Sequence, residues 1–308
     1  MNDLVTMNST SMTTISTDLL TRWINYLDAS PKTVETYTRA IRQLWRYLQL
    51  NGITAPKRED ILAFRDDLKA SGHKPSTIQN YITATKLFFQ WLETERLYPD
   101  ITAHLKGAKL DRAHKKDYLT SSQVKEILQG IDRTTAQGKR DYAILVLMIT
   151  GGLRTIEVVR ADIGDLRTVG DSTVLFLQGK GREEKTEYVK ITPPVEKAIR
   201  AYLKERPADP DAPLFSSVSN NSRGARMTTR SISAIAKARM QAAGYDSERL
   251  TAHSLRHTAV TLSLLAGKDI TEVQQFARHA NIATTMIYNH ALDKAKNTCS
   301  AAIADAIF

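Results

Sequence analysis

Between Tyr98 and Asp117 the helical hydrophobic period that marks the preceding residues stops. Pro99 and Gly107 punctuate the stretch, and Lys106, Lys109, Arg112, Lys115 and Lys116 charge it. It reads as a basic linker, with 108–117 as the joint, so the chain folds as two domains, 17–107 and 118–308. The length of 308 residues agrees, because single cores stop growing at roughly 250–300 residues.

Composition narrows the partner. Hydrophobic residues at 42% and charged residues at 25% are those of an ordinary soluble protein. Lys and Arg outnumber Asp and Glu by 43 to 33, giving a net charge of +10 and a pI near 9.6. A polyanion is the expected partner, and nucleic acid fits better than a membrane. No apolar run is long enough to span a bilayer and the polar start, Met1 to Ser16, lacks a secretory core, so the protein is expected in the cytoplasm. Residues 1–16 read as a flexible tail. The single cysteine, Cys299, excludes an internal disulfide and a Cys-rich zinc module.

The first domain reads as four helices. One runs from about Thr17 to Leu27, and Ser30-Pro31 then supplies a cap and a first-turn proline for the next. In that second helix Val34, Tyr37, Ile41, Leu44, Trp45 and Leu48 share a face. Lys32, Arg39, Arg42 and Arg46 fall on the other, with Glu35 the single interleaved acid. A lone cationic face is usually just solvated; here the scarcity of acids favours phosphate contacts. A third helix spans about Lys57 to Ala70, and a fourth runs from Pro75-Ser76 to about Arg96. The fourth buries Ile78, Tyr81, Ile82, Phe88, Phe89 and Leu92 and turns Gln79, Thr83, Lys86 and Gln90 outward, tips suited to a DNA groove.

In the second domain a helix starts near Ser121 and another is the apolar run Tyr142 to Ile149. Strand patterns at 165–169, 174–178 and 187–191, with turns at Gly170-Asp171 and Gly179-Lys180-Gly181, predict a small antiparallel sheet. Pro193-Pro194 opens a helix to about Glu205, and the rest is helical apart from a loop at 207–228.

Cleaving a phosphodiester without metal or nucleotide takes a nucleophile, fixed cations around the anionic oxygens and an acid for the leaving alkoxide. Candidates for each occur here. His253, His257, His279 and His290, four of seven histidines, lie within 253–290. His253 and Arg256 are three apart, on one face of a helix. His253 and His257 also have the spacing of a zinc pair, but Ser254 stands where a zinc protease places its glutamate. Arg154 follows a buried helix, with Glu157 as a natural ion-pair partner that would aim its remaining donors. Lys180 sits at a hairpin tip, where a routine turn lysine is the alternative. Tyr288 lies on a short apolar helix, a placement more common for core tyrosines.

Taken jointly, Leu153-Arg154-Thr155-Ile156-Glu157, the Gly-Lys-Gly hairpin, the His-x-x-Arg of His253 and Arg256, and His279 followed nine positions later by Tyr288 resemble the tyrosine recombinase (integrase) family. The match covers 118–308 in the family's order, and 17–107 resembles its four-helix, SAM-like core-binding domain. The resemblance implies a mainly α fold, with a four-helix DNA-binding domain followed by a mixed α+β catalytic domain carrying a small antiparallel sheet. It implies that Arg154 and Arg256 hold the non-bridging oxygens of the scissile phosphate, that His253 aids proton transfer and phosphate contact and that His279 hydrogen-bonds the phosphate. Lys180 would protonate the departing 5′ oxygen, Tyr288 would form a 3′-phosphotyrosine, and Glu157 would support. Duplex DNA at a specific site, bound by a homo-oligomer that forms a tetrameric synapse, with accessory proteins where the reaction is directional, is the implied partner set; no metal, ATP or other cofactor enters. DNA contacts are expected from Lys32, Arg39, Arg42, Arg46, Lys86, Lys106, Lys109 and Arg112.

One departure stands out. The family commonly has Leu-Gly before the histidine equivalent to His279, where this chain has Ala277-Arg278, a side chain expected to shift local packing or to touch DNA. The stretch Ala291 to Phe308, with Ile303, Ile307 and Phe308 at helical spacing, is expected to dock on a neighbouring protomer, with packing on its own domain as the alternative. About 16 residues before the first helix are too few for an additional arm-binding domain. Two other functions remain open at this point: a DNA-binding regulator that does not cut, and a topoisomerase of the type IB kind.

Overall fold

Ser30 accepts a hydrogen bond from the Thr33 amide and Pro31 occupies the first turn, so the chain turns sharply into its longest early helix. The computed structural model describes residues 17–109, 117–179, 184–206 and 209–295, with 303 and 307. Several expectations fall elsewhere: the tail at 1–16, Arg112, Lys115 and Lys116 of the linker, the hairpin lysine Lys180, Cys299 and most of the terminal segment all lie outside the described residues.

The chain divides into two compact units, Met1–Arg112 and Ala113–Phe308. The first contains α1 (Thr17–Tyr26), α2 (Pro31–Leu50), α3 (Arg58–Ala70) and α4 (Pro75–Thr94). Its core is aromatic: Trp23, Phe64, Phe88 and Phe89 are fully buried, and Trp23 meets Phe88 edge-on at 5.3 Å. The aperiodic residues after α4 pack back on this unit. Leu105 is buried in its core, the Tyr98 hydroxyl donates to Pro56 O at 2.8 Å, and Arg65 donates to the Lys106 carbonyl at 3.2 Å.

The second unit is built around α6 (Ala136–Thr150), whose residues Ala143 to Ile149 are all buried. This helix starts well before the apolar run that marked it in the sequence, because Thr135 caps it by accepting from the Gly138 amide at 3.0 Å. Around it lie α5 (Ser121–Gln129), α7 (Thr155–Arg160), α8 (Pro193–Leu203) and α9 (Thr229–Ala242), then α10 (Ala252–Leu265), α11 (Ile270–Ala277) and α12 (Ile282–Ala295). Three strands, β1 (Leu166–Val169), β2 (Ser172–Leu177) and β3 (Glu187–Lys190), form an antiparallel sheet in that order. The registers Leu166↔Leu175 and Leu175↔Val189 put the apolar residues of neighbouring strands side by side. The mainly helical fold with a small antiparallel sheet is the one expected. No described helix is long and apolar enough to cross a membrane.

Candidate active site

The turn from α6 into α7 places the first arginine. Gly152 has φ +56°, and a Cβ there would lie 3.1 Å from the Phe276 ring, so both backbone and space call for glycine. Two residues on, Arg154 caps α7. Its amide donates to Glu157 Oε2 at 2.8 Å and its Nη1 to Glu157 Oε1 at 2.7 Å, while Nη2 donates to the Arg278 carbonyl at 3.1 Å. Glu157 is 1% exposed and Arg154 28%, so the carboxylate is sealed and the guanidinium keeps an open edge. The ion pair with Glu157 expected from sequence is formed, and the same carboxylate also takes the Arg154 amide at the start of α7.

Arg256 comes from α10 and is buried. Nη1 donates to Gly152 O at 2.6 Å and Nη2 to Ala277 O, which ties the α6–α7 turn to the end of α11. Burial, with Arg154 and Arg278 nearby, pushes its pKa down to about 9, still cationic at neutral pH. On the same helix His253 is exposed and its ring centroid lies 4.4 Å from that of buried His257.

Helix α11 ends in a left-handed cap at Arg278, with φ 54° and ψ 46°. The His279 amide donates back to Gln274 O at 3.1 Å, which closes the turn and projects the imidazole inward. His279 Nδ1 and Thr285 Oγ1 are hydrogen-bonded at 2.9 Å. Burial, then the positive charge of Arg256, Arg154 and Arg278, lowers its pKa to about 4, so the ring is neutral at physiological pH.

Tyr288, on α12, is buried between histidines, with ring centroids 5.1 Å from His257 and 6.2 Å from His279. Burial pushes its pKa up to about 12 against the pull of Arg256 and Arg154. Beside these groups a cleft of about 760 Å³ is bordered by Arg154, Gly179, Tyr188, Gln274, Arg278 and His279.

The fold therefore brings together Arg154, Glu157, Arg256, His279 and Tyr288 from four segments, with His253 at the exposed edge of α10. Lys180 lies outside the described residues, although both ends of its hairpin are tethered. Arg160 donates to Gly179 O at 3.2 Å, and Lys185 bonds Asp162 and Asp165, each at 2.5 Å. Sequence reasoning gave no role in phosphoryl chemistry to His257 or Thr285, whose helical spacing to His253 and Tyr288 was the signal that could have found them. Of the two expectations for Arg278, a shift in local packing or a DNA contact, the structure favours the first: the side chain is 7% exposed and turned inward onto Glu157.

On α2 the cationic face is also less free than it reads. Glu35 pairs with both Lys32 and Arg39 at 2.7 Å, which leaves Arg42 and Arg46 as its exposed cations without an ion pair among the described residues. Lys86 is half-buried, and Lys106 and Lys109 are exposed.

Residues 117–295 match the phage integrase family and residues 20–96 match the phage integrase N-terminal SAM-like domain. Among curated relatives, tyrosine recombinase XerC of Herpetosiphon aurantiacus is 33% identical over 243 residues, 76% of this chain and 75% of its own. XerD of Listeria innocua is 26% identical over 284 residues, 89% and 94% of the two chains. Two solved structures share the fold: XerH recombinase bound to a palindromic difH substrate in a post-cleavage complex (TM-score 0.73, 21% identity, 88% of this chain, 80% of that one) and a lambda integrase tetramer bound to a Holliday junction (TM-score 0.69, 16% identity, 91% and 78%). Fold and relatives together define a tyrosine recombinase. The chain belongs to the phage integrase family.

Proposed function

We propose that this recombinase cuts and rejoins duplex DNA at a specific site through a 3′-phosphotyrosyl bond to Tyr288, in the cytoplasm and as a homo-oligomer. One observation carries the reading: a buried phenol lies among two fixed guanidiniums and a neutral imidazole, and hydrogen bonds hold both guanidiniums and the imidazole. Arg154 and Arg256 bind the non-bridging oxygens and stabilise the charge that builds up on the phosphorane. His279, with Nδ1 engaged by Thr285, offers its Nε2–H to the same phosphate. The phenol loses its proton toward His253 as Tyr288 attacks phosphorus, and Lys180 gives one to the departing 5′ oxygen. Because the phosphotyrosyl bond keeps the energy of the ester, the reverse attack by a 5′ hydroxyl reseals the strand without ATP.

Residues 17–107 are the core-binding domain in this reading, 108–117 the linker and 118–308 the catalytic domain. Arg42 and Arg46 contact phosphates, as do Lys86, Lys106, Lys109 and Arg112, with Lys32 and Arg39 contributing less because Glu35 holds them. Each phosphate that a removed side chain no longer neutralises lowers the slope of log K against log salt by about 0.9. Replacing Arg42 and Arg46 together by Ala lowers it by about two such steps, and adding Arg39→Ala lowers it by less than a full one. A slope unchanged in the double variant would return this face to ordinary solvated surface.

The terminal segment docks on a neighbouring protomer in the assembled synapse; Ile303 and Ile307, at 59% and 68% exposure, are apolar positions such docking would cover. Deleting 303–308 leaves half-site binding intact and removes full-site cooperativity in band shifts. Equal cooperativity in the truncated and intact proteins would contradict it.

The test of function is covalent trapping across the replicon of origin in the presence of EDTA. Adducts recurring at one short sequence are expected. Relaxation of supercoiled DNA with no sequence preference would instead indicate a topoisomerase, and site binding without any adduct a regulator.

A further inference from the structure

We infer that Arg278 is a positioning residue for recombination, setting the aim of Arg154 and Arg256 through the Glu157 carboxylate and the Gly152 carbonyl that it shares with them. The inference rests on the reading of those two arginines as the phosphate clamp.

The backbone works against an arginine at this position. At φ 54° and ψ 46° Arg278 occupies the left-handed region, where an arginine is strained and glycine is not. Such strain persists where the surroundings over-determine it. Here they do. Nη1 donates to Phe276 O at 2.8 Å and Gly151 O at 3.3 Å; Nη2 donates to Gly152 O at 2.9 Å, Gly151 O at 3.3 Å and Glu157 Oε2 at 3.1 Å.

Two of those acceptors, the Gly152 carbonyl and the Glu157 carboxylate, also serve the clamp. Gly152 O also receives Arg256 Nη1 at 2.6 Å, and the second Glu157 oxygen receives Arg154 Nη1 at 2.7 Å. The other side-chain hydrogen bond of Arg154, from Nη2, goes to the carbonyl of Arg278 itself at 3.1 Å. One residue thus touches the support of both arginines, and the next residue along is His279. With glycine in its place, the Gly151 and Gly152 carbonyls and one Glu157 oxygen would face a cavity, and the α6–α7 turn would be without its brace against α11. Among the described residues the Arg278 Nε is buried without a hydrogen-bond partner, so the group is not arranged for stability alone.

Charge points the same way. Three guanidiniums around one buried carboxylate leave the DNA-free site with excess positive charge, a state that an incoming phosphate relieves. The same cation contributes to keeping His279 neutral.

The experiment compares wild type, Arg278→Gly and Arg278→Lys on a nicked oligonucleotide carrying the trapped site. Affinity, single-turnover cleavage, melting temperature and the NMR titration of His279 are measured for each. Because small misplacements cost up to about 100-fold in rate, Arg278→Gly is expected to cleave roughly 10- to 100-fold more slowly while binding within about twofold. Arg278→Lys, which keeps charge but not the planar fork, is also slow. Methylguanidinium chloride restores part of the Arg278→Gly rate and leaves wild type unaffected. The His279 midpoint, about 4 in wild type, rises in Arg278→Gly because a neighbouring cation has gone. Wild-type cleavage by Arg278→Gly, or a loss no larger than its loss of folded protein, would overturn the inference. If Arg278→Gly does not fold, an unchanged rate in Arg278→Lys overturns it instead. Failure of wild type to form a Tyr288 adduct would be a failure of the proposed reaction, which separates the two.

Discussion

Tyr288→Phe binds its site with near-wild-type affinity and forms no covalent adduct. The substitution removes one oxygen and keeps a ring of the same shape between His257 and His279, so packing is largely preserved. Thr285, the nearest hydroxyl in sequence on α12, does not take its place, because it is fully buried and bonded to His279. The phenol's raised pKa, about 12 in the DNA-free protein, means that it is almost entirely protonated at neutral pH. Its reactivity therefore depends on the phosphate arriving together with a proton acceptor. The rate of wild-type adduct formation should rise with pH through the neutral range, as deprotonation becomes easier, until loss of the leaving-group acid opposes it. Normal adduct from Tyr288→Phe on a denaturing gel would remove Tyr288 as the nucleophile.

Glu157→Ala has the largest expected effect on stability. The carboxylate is 1% exposed and faces Arg154, through both its amide and its guanidinium, and Arg278. Breaking a buried ion pair from one side leaves uncompensated charge and costs about 3–5 kcal/mol. For a domain of this size that lowers the melting temperature by roughly 10 °C, and cleavage falls as well because Arg154 is no longer aimed. Glu157→Gln keeps the shape and an acceptor oxygen and should lie between. Burial alone would raise the Glu157 pKa, but Arg278 and the amide and guanidinium of Arg154 outweigh it and hold the carboxyl below its usual range. The stabilisation is then complete above the ordinary carboxylate pKa and is lost as pH falls through the lower folded value. The alanine variant should accordingly show a shallower acid-induced loss of stability than wild type. A melting temperature within about 1 °C of wild type, by calorimetry, would contradict the buried network.

How legible this was depended on the range of the interaction. Ser30-Pro31, the helix start near Ser121 and the hydrophobic stripe of α4 are local signals, and the structure uses each as it reads. The three strands were readable from β-branched and aromatic runs between glycine turns. The start of α6 was not, because Ala136 to Asp141 looks polar, and its helicity comes from the Thr135 cap and from burial of Arg140 and Asp141 as an ion pair. Glu35 appeared as one acid among several cations, whereas its rotamer satisfies two of them at once. Arg278 was the hardest. Whether a long side chain at a left-handed turn points outward or inward depends on Glu157 and on the Gly151 and Gly152 carbonyls, more than a hundred residues away in sequence.

The central claim is that Tyr288 becomes covalently joined to DNA in a metal-free reaction. It is tested most directly by trapping the wild-type protein on a nicked oligonucleotide in excess EDTA, digesting with protease and locating the nucleotide-bearing residue by mass spectrometry. The expected product is a 3′-phosphonucleotide on the peptide containing Tyr288, formed as fast with EDTA as without. A modification on any other residue, or cleavage that disappears under chelation and returns with a divalent ion, would contradict it.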